Sequence, residues 1–301
     1  MDRYVVLVNS GCVTSYISYM VFLYRMFTDP VIIDLPKLPR YLIASLITSI
    51  RPIFGYSKYR RMGKNPLLGI MKLQAFKTGD LLKDYSIKVL YANLYSEPFF
   101  EKVLEGLPGN ADVVIIPQFP QYSKVTTGSI EWRIEKFKDR NIRLVKTYCR
   151  EELFIRMWKE EIEKDYEGEH IVFVAHSIPE KLVEAGDPYV DEVMESGKLI
   201  AKALGTDNYS FGFSSDLSFG RWVGPSVESA VLSAIRDSGR VMVVPISFVN
   251  EHLETIYDLD ISLRKFAISN GAQVYKRVKV PYDSKYLFEL YRKLTLEVLD
   301  V

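Results

Sequence analysis

Residues 171–179 read Ile-Val-Phe-Val-Ala-His-Ser-Ile-Pro: four large apolar residues without alternation, one small residue, then a histidine, a hydroxyl, an isoleucine and a proline. An apolar run of that length, closed by turn residues, is the pattern of a strand buried on both faces of a parallel sheet. It recurs along the chain. Residues 4–8 (YVVLV) precede Asn9-Ser10-Gly11, residues 87–91 (IKVLY) precede Ala92-Asn93, and residues 113–116 (VVII) precede Pro117-Gln118. Residues 209–213 lead to Ser214, and residues 241–244 (VMVV) to Pro245. Helical patterns are predicted over 151–166, 191–204, 227–238, 251–268 and 284–299. Strands alternating with helices predict a doubly wound α/β fold, in which ligands bind beyond the carboxyl ends of the strands. His176 stands at such an end.

Length and composition frame this reading. A chain of 301 residues suits two domains. With 48% hydrophobic and 26% charged residues it is ordinary globular material. Lys plus Arg is 39 and Asp plus Glu is 38, and so even a balance argues against a dedicated nucleic-acid binder. Two cysteines, Cys12 and Cys149, are too few for a disulfide framework or a four-thiolate cluster, so a reducing, cytoplasmic setting is expected. The longest apolar stretch, 41–50, is interrupted by Ser45, Thr48 and Ser49 and is too short to span a bilayer. Asp2, Asn9 and Ser10 spoil a signal-peptide pattern. No glycine-rich dinucleotide fingerprint or phosphate loop follows any strand, so no nucleotide cofactor is expected. Ile116-Pro117-Gln118-Phe119 and Val244-Pro245-Ile246-Ser247-Phe248 are faintly alike, which hints at two similar halves meeting near residue 150.

The chain has three histidines. His170, in Glu167-Gly168-Glu169-His170, reads as a solvated turn residue. His176 reads either as a base at a strand end or as a histidine bonded to the next loop. His252 opens the segment 251–258, in which Glu251, Glu254 and Asp258 are spaced to share one helix face. That line is either a solvated face near a helix N-terminus or a row of oxygen ligands for a divalent cation. Asp260 falls on another face and reads as structural. Thr126-Thr127-Gly128-Ser129, after Pro120-Gln121-Tyr122-Ser123, is either an anion cradle or an ordinary helix cap. In 36–54, Leu42, Ile43, Leu46, Ile47 and Ile50 fall at helical spacing beside Lys37, Arg40 and Arg51. They make either a core helix or a mobile lip whose basic flank grips carboxylates and touches a membrane surface.

Taken together, these segments resemble the ferrochelatases. The likeness rests on Val174-Ala175-His176-Ser177-Ile178-Pro179 with Gly186-Asp187-Pro188-Tyr189, and on Pro120-Gln121-Tyr122-Ser123 with Thr126-Thr127-Gly128-Ser129. It rests also on Arg221-Trp222-Val223-Gly224-Pro225 and on 248–260 with His252-Leu253-Glu254-Thr255-Ile256-Tyr257 inside it. Asp29-Pro30-Val31-Ile32-Ile33-Asp34-Leu35-Pro36 and Tyr59-Arg60-Arg61-Met62-Gly63 extend it toward the N-terminus. The motifs are collinear over nearly the whole chain.

The resemblance implies two Rossmann-like domains with a porphyrin cleft between them. The expected division is 1–148 with the lip at 36–62, then 149–275 with the histidine and acidic helix, then 276–301 packing back on the body. It implies an enzyme of haem biosynthesis, a lyase, that inserts Fe(II) into protoporphyrin IX or coproporphyrin III and releases two protons. His176 and Glu254 fall on the catalytic pair, facing each other across the cleft, and with Asp258 they are the expected metal ligands. Arg51 and Tyr59 fall on propionate contacts and Trp222 on a cleft aromatic. Ser10, Tyr95, Tyr122, Ser123, Thr127 and His252 complete the expected porphyrin set. Iron and porphyrin are then substrates and haem the product, with no permanent cofactor. No C-terminal cysteine cluster is present to hold an iron–sulfur centre. Three departures stand out. Ser10 replaces the tyrosine of the coproporphyrin enzymes, Leu94 replaces a usual Arg or Lys, and Ser262 replaces a usual acid. Two rivals remain at this stage: a chelatase for another tetrapyrrole or metal, and a haem-binding or haem-delivery protein on the same fold.

Overall fold

The computed structural model describes residues 2–215 and 220–301. The chain divides into two units, one of Met1–Phe119, Ser123–Lys146 and Phe288–Val301, the other of Pro120–Tyr122 and Thr147–Leu287. Each unit carries a four-stranded parallel sheet. In the first, β1 (Arg3–Asn9), β2 (Ile87–Asn93), β3 (Asp112–Pro117) and β4 (Asn141–Leu144) run in the order β2-β1-β3-β4. In the second, β5 (His170–His176), β6 (Tyr209–Ser214), β7 (Arg240–Val244) and β8 (Val274–Arg277) run in the order β6-β5-β7-β8. The two sheets therefore share one topology. The similar Pro-containing segments, 116–119 and 244–248, both leave the carboxyl end of the third strand of their sheet.

The first strand of each sheet lies centrally and is fully enclosed. Val5 to Val8 and Ile171 to Ala175 have no solvent exposure at all. That is why these runs do not alternate: helices cover both faces. The strands β4 and β8 are each four residues long, lie at an edge and contain charged side chains, Arg143 in one and Lys276 and Arg277 in the other. Their patterns predicted no strand. Because β8 pairs with β7, the second unit runs through 275 without a break, past the expected boundary. The helix Lys285–Leu299 bridges the division: from Phe288 it belongs to the first unit, where Arg143 of β4 donates to the Val298 carbonyl.

The segment expected to form either a core helix or a lip is one helix, Lys37–Met62. Of the large aliphatics only Ile47 packs, half-buried, against its inner face. Ala44, Thr48 and Pro52 are buried, and the helix packs on Tyr19, Leu23 and Phe27 of the helix Tyr16–Phe27. A Cβ on Gly55 would meet the Tyr19 hydroxyl at 2.6 Å, so glycine there lets the two helices approach. Leu42, Leu46 and Ile50 point outward with 64, 61 and 50% exposure, joined by Leu38, Ile53 and Phe54. The core-helix alternative is thereby excluded for these residues. Arg51 is half-buried in this helix, and Tyr59 packs against the Tyr19 ring at 5.0 Å. Among the described residues no helix is long and apolar enough to cross a membrane.

Candidate active site

The second unit gathers reactive groups at the carboxyl end of β5. His176 is the last residue of that strand, with 47% of its side chain exposed. Beyond it the chain is held on both sides. Ser177 N–H donates to the Ser214 carbonyl of β6 at 2.7 Å, and Ser177 Oγ donates to the Val223 carbonyl at 2.8 Å. Pro179 and Trp222 form an antiparallel bridge, which sets the half-buried Trp222 beside the loop that follows His176. Residues 216–219, between β6 and Trp222, lie outside the described residues.

Glu254 reaches His176 from the chain after β7. Its Oε2 is 2.8 Å from His176 Nδ1. The two residues do not face each other across a gap, as expected; they are a hydrogen-bonded pair within one unit. Glu254 opens a π-helix, Glu254–Leu263. Such helices bond i to i+5, are rare at this length and favour functional sites. Asp258 lies partly exposed on the same helix. Among the described residues no group of three or more His, Cys, Asp or Glu side chains is gathered to hold a metal. The expected ligand trio is thus not preassembled: Glu254 is committed to His176, and Asp258 lies four residues further along a helix with wider turns.

Two members of the acidic segment have other duties. Glu251 precedes the helix, so it does not share a helix face with Glu254 and Asp258. It is 6% exposed and accepts from Arg277 and from Val280 N–H at 3.0 Å. Asp260 is structural, as expected, and is gripped by the same guanidinium at 2.8 and 2.6 Å. His252 is not poised as an open contact. Its Nδ1 accepts from Glu254 N–H at 3.2 Å, its backbone N–H donates to Thr255 Oγ1 at 3.0 Å, and its ring stands edge-on to Phe248. Burial lowers its pKa, against the opposing pull of Glu254 and Glu251. A neutral ring with the proton on Nε2 satisfies that contact, so His252 caps the π-helix. His170 is bonded rather than merely solvated, to Asn208 Oδ1 at 2.7 Å and Ser210 Oγ at 2.9 Å.

Tyr189 has the clearest bearing on the site among residues that sequence reasoning passed over. It begins the helix Tyr189–Leu204, and Asp187 Oδ1 accepts its N–H at 3.0 Å, which explains the Asp-Pro-Tyr order. Its buried hydroxyl lies beside Ser247 and the His176 backbone. Burial, and then the Glu254 charge, raise its pKa, so it stays a phenol. Its signal was present in Gly186-Asp187-Pro188-Tyr189, but only as part of a motif.

The remaining candidates separate. Tyr122 is half-buried and donates its N–H to Glu192 at 2.7 Å in the second unit. Ser123 and Thr127 are fully buried in the first unit, and Ser129 donates to Asp29 at 2.9 Å, so the hydroxyl cluster is interior rather than an open cradle. Ser10 is partly exposed and its hydroxyl donates to Asn9 Oδ1 at 3.2 Å. Tyr95 is 2% exposed and donates to Asp29 at 2.9 Å, beneath the Arg133 guanidinium. Its hydroxyl serves a buried ion pair and offers no open face to a substrate.

The family model described as Ferrochelatase matches residues 3–299. The ferrochelatase of Aquifex aeolicus is 32% identical over 98% of both chains. That of Rickettsia felis is 31% identical over 98% of this chain and 90% of its own. Two solved chelatases share the fold at low identity. SirB from Bacillus subtilis with Fe3+ has a TM-score of 0.59 at 11% identity, covering 100% of this chain and 97% of its own. CbiX, described as the terminal enzyme of sirohaem biosynthesis in denitrifying bacteria, has a TM-score of 0.54 at 12% identity, covering 99% and 98%. A match from the first strand to the last helix, at about a third identity to full-length relatives, establishes that the chain belongs to the ferrochelatase family.

Proposed function

We propose that this protein is a ferrochelatase: a lyase of haem biosynthesis that inserts Fe(II) into a porphyrin and releases two protons. The observation that carries the reading is the His176–Glu254 pair at 2.8 Å, in a chain of this family. An imidazole that donates Nδ1–H to a carboxylate presents Nε2 as its basic nitrogen, and the carboxylate stabilises the imidazolium formed when Nε2 takes a proton. This supports His176 as the acceptor of a pyrrole proton, with Glu254 orienting and charge-compensating it. Fe(II) is a substrate that arrives hydrated. Asp258, further along the same helix as Glu254, is an oxygen donor suited to hold it while its water is shed. Trp222, bridged to the loop that follows His176, offers a flat apolar side chain that fits a macrocycle. Arg51 and Tyr59 are proposed to engage its propionates. The reading calls for no resident cofactor, nucleotide or iron–sulfur centre. A cytoplasmic location with peripheral membrane contact is part of it, because the outward aliphatic face of Lys37–Met62 carries Lys37 and Arg40 at its start.

The test is anaerobic metal insertion followed by absorption, with protoporphyrin IX, coproporphyrin III and a more reduced tetrapyrrole, and with iron against cobalt. Insertion collapses the free-base bands, whereas binding alone only shifts them. His176→Ala should lose about a hundredfold or more in rate, the usual worth of a positioned base, while still binding porphyrin. A variant that keeps more than about a tenth of the wild-type rate would remove His176 from this role. Porphyrin bands that shift but never collapse with wild-type protein would sink the enzyme reading.

A further inference from the structure

The π-helix beneath Glu254 needs a cause, and β8 supplies two. Tyr275 and Arg277 alternate along that strand and so leave it on the same side. The buried Tyr275 hydroxyl donates to the Leu259 carbonyl at 2.7 Å, in the middle of the helix. A side chain that bonds into a helix ladder is an established source of helix irregularity. Two residues on, Arg277 spreads its guanidinium over two carboxylates. Nε and Nη2 hold the two oxygens of Asp260 at 2.8 and 2.6 Å, and Nη1 holds Glu251 Oε1 at 2.5 Å. The side chain is 11% exposed, so water competes little for these bonds. Lys276, between them, faces the other way and pairs with Glu167 and Glu169.

We infer that Arg277, assisted by Tyr275, is a positioning residue for Glu254. The geometry is that of a clamp. One arm fixes Glu251, just before the helix, and the other fixes Asp260, near its far end. Glu254 lies between the two fixed points, and its contact with His176 depends on where that stretch is held. An ammonium cannot reproduce the fork, because it lacks the planar paired donors that match a carboxylate. The inference rests on the proposed function for its catalytic consequence but not for the clamp itself.

Arg277→Lys keeps the charge and removes the fork. With porphyrin and iron both saturating, kcat should fall about tenfold to a hundredfold, the scale of a displacement approaching 1 Å. The porphyrin KM should stay within about twofold, because binding common to substrate and transition state is untouched. In a Glu254→Gln background the same substitution should cost nothing further, since its effect runs through Glu254; a merely structural residue would add its full cost. Tyr275→Phe should show the same pattern more weakly. Hydrogen exchange supplies a readout independent of turnover: residues 252–263 should exchange faster in Arg277→Lys while 170–176 are unchanged. If the wild-type protein inserts no metal, the functional reading fails and the exchange data alone decide the clamp. Unchanged kcat, full additivity with Glu254→Gln, or unchanged protection of 252–263 would each overturn the inference. Should Arg277→Lys not fold, Asp260→Asn weakens one arm with the cation kept, and the same outcomes apply.

Discussion

Tyr95→Phe distinguishes a substrate contact from a structural one with a single oxygen atom. The hydroxyl donates to Asp29 Oδ2 at 2.9 Å and lies 3.4 Å from Ser129 Oγ. Asp29 has no exposed side-chain surface and is also held by Arg133 at 2.6 Å and Ser129 at 2.9 Å. Arg133 in turn reaches Glu101 at 3.0 Å. A hydrogen bond to a charged group contributes about 1.5–3 kcal/mol, and because Asp29 Oδ2 keeps Arg133 and Ser129 while Oδ1 keeps Val31 N–H, the loss should sit near the low end, about 1.5 kcal/mol. At about 2–4 °C per kcal/mol for units of this size, the melting transition of the first unit should drop by roughly 3–6 °C. Porphyrin affinity, measured by fluorescence titration well below that transition, should not change. The result that would refute the reasoning is the reverse pattern, a porphyrin affinity weakened about tenfold with the melting transition unmoved, since tenfold corresponds to about 1.4 kcal/mol of lost binding.

Glu254→Gln should be nearly inactive at saturating iron, whereas Asp258→Asn should slow insertion less, because Glu254 is hydrogen-bonded to His176 at 2.8 Å; steady-state rates in the opposite order would reject the assignment. Arg51→Ala should raise the porphyrin KM more than it lowers turnover, and should matter less for a porphyrin with esterified propionates; equal losses for acid and ester would remove Arg51 from propionate binding. Tyr95, Tyr189 and Tyr275 all have raised pKa values, chiefly through burial. Above pH of about 10 the unfolded tyrosines release protons that the folded ones keep, so stability present below that pH should fall by about 1.4 kcal/mol per pH unit for each. Urea midpoints that stay flat from pH 9 to 11, taken as roughly one unit either side of that value, would contradict this.

What could be read from the sequence was what depends on neighbours along the chain. The interior strands announced themselves because a strand covered on both faces must be apolar at every position, as 4–8 and 171–174 are. Their carboxyl ends then pointed to His176. The motif around Glu254 carried the family likeness without any geometry. Spacing alone misjudged residues whose partners lie far away in sequence. Glu251 has helical spacing to Glu254, but Arg277 holds it ahead of the helix. Tyr95 matches a porphyrin-site position, yet Asp29, 66 residues earlier, takes its hydroxyl. The aliphatics of Lys37–Met62 have a core helix's periodicity, but small residues let Tyr19 and its neighbours pack close, and Leu42, Leu46 and Ile50 face out while Ile47 alone of the five packs inward. The π-helix was also invisible, because no local propensity favours it. It follows from two side chains on β8, a short charged strand recognisable only once β7 is beside it. Those contacts are long-range pairings of polar groups, and only the folded chain decides which buried donor meets which buried acceptor.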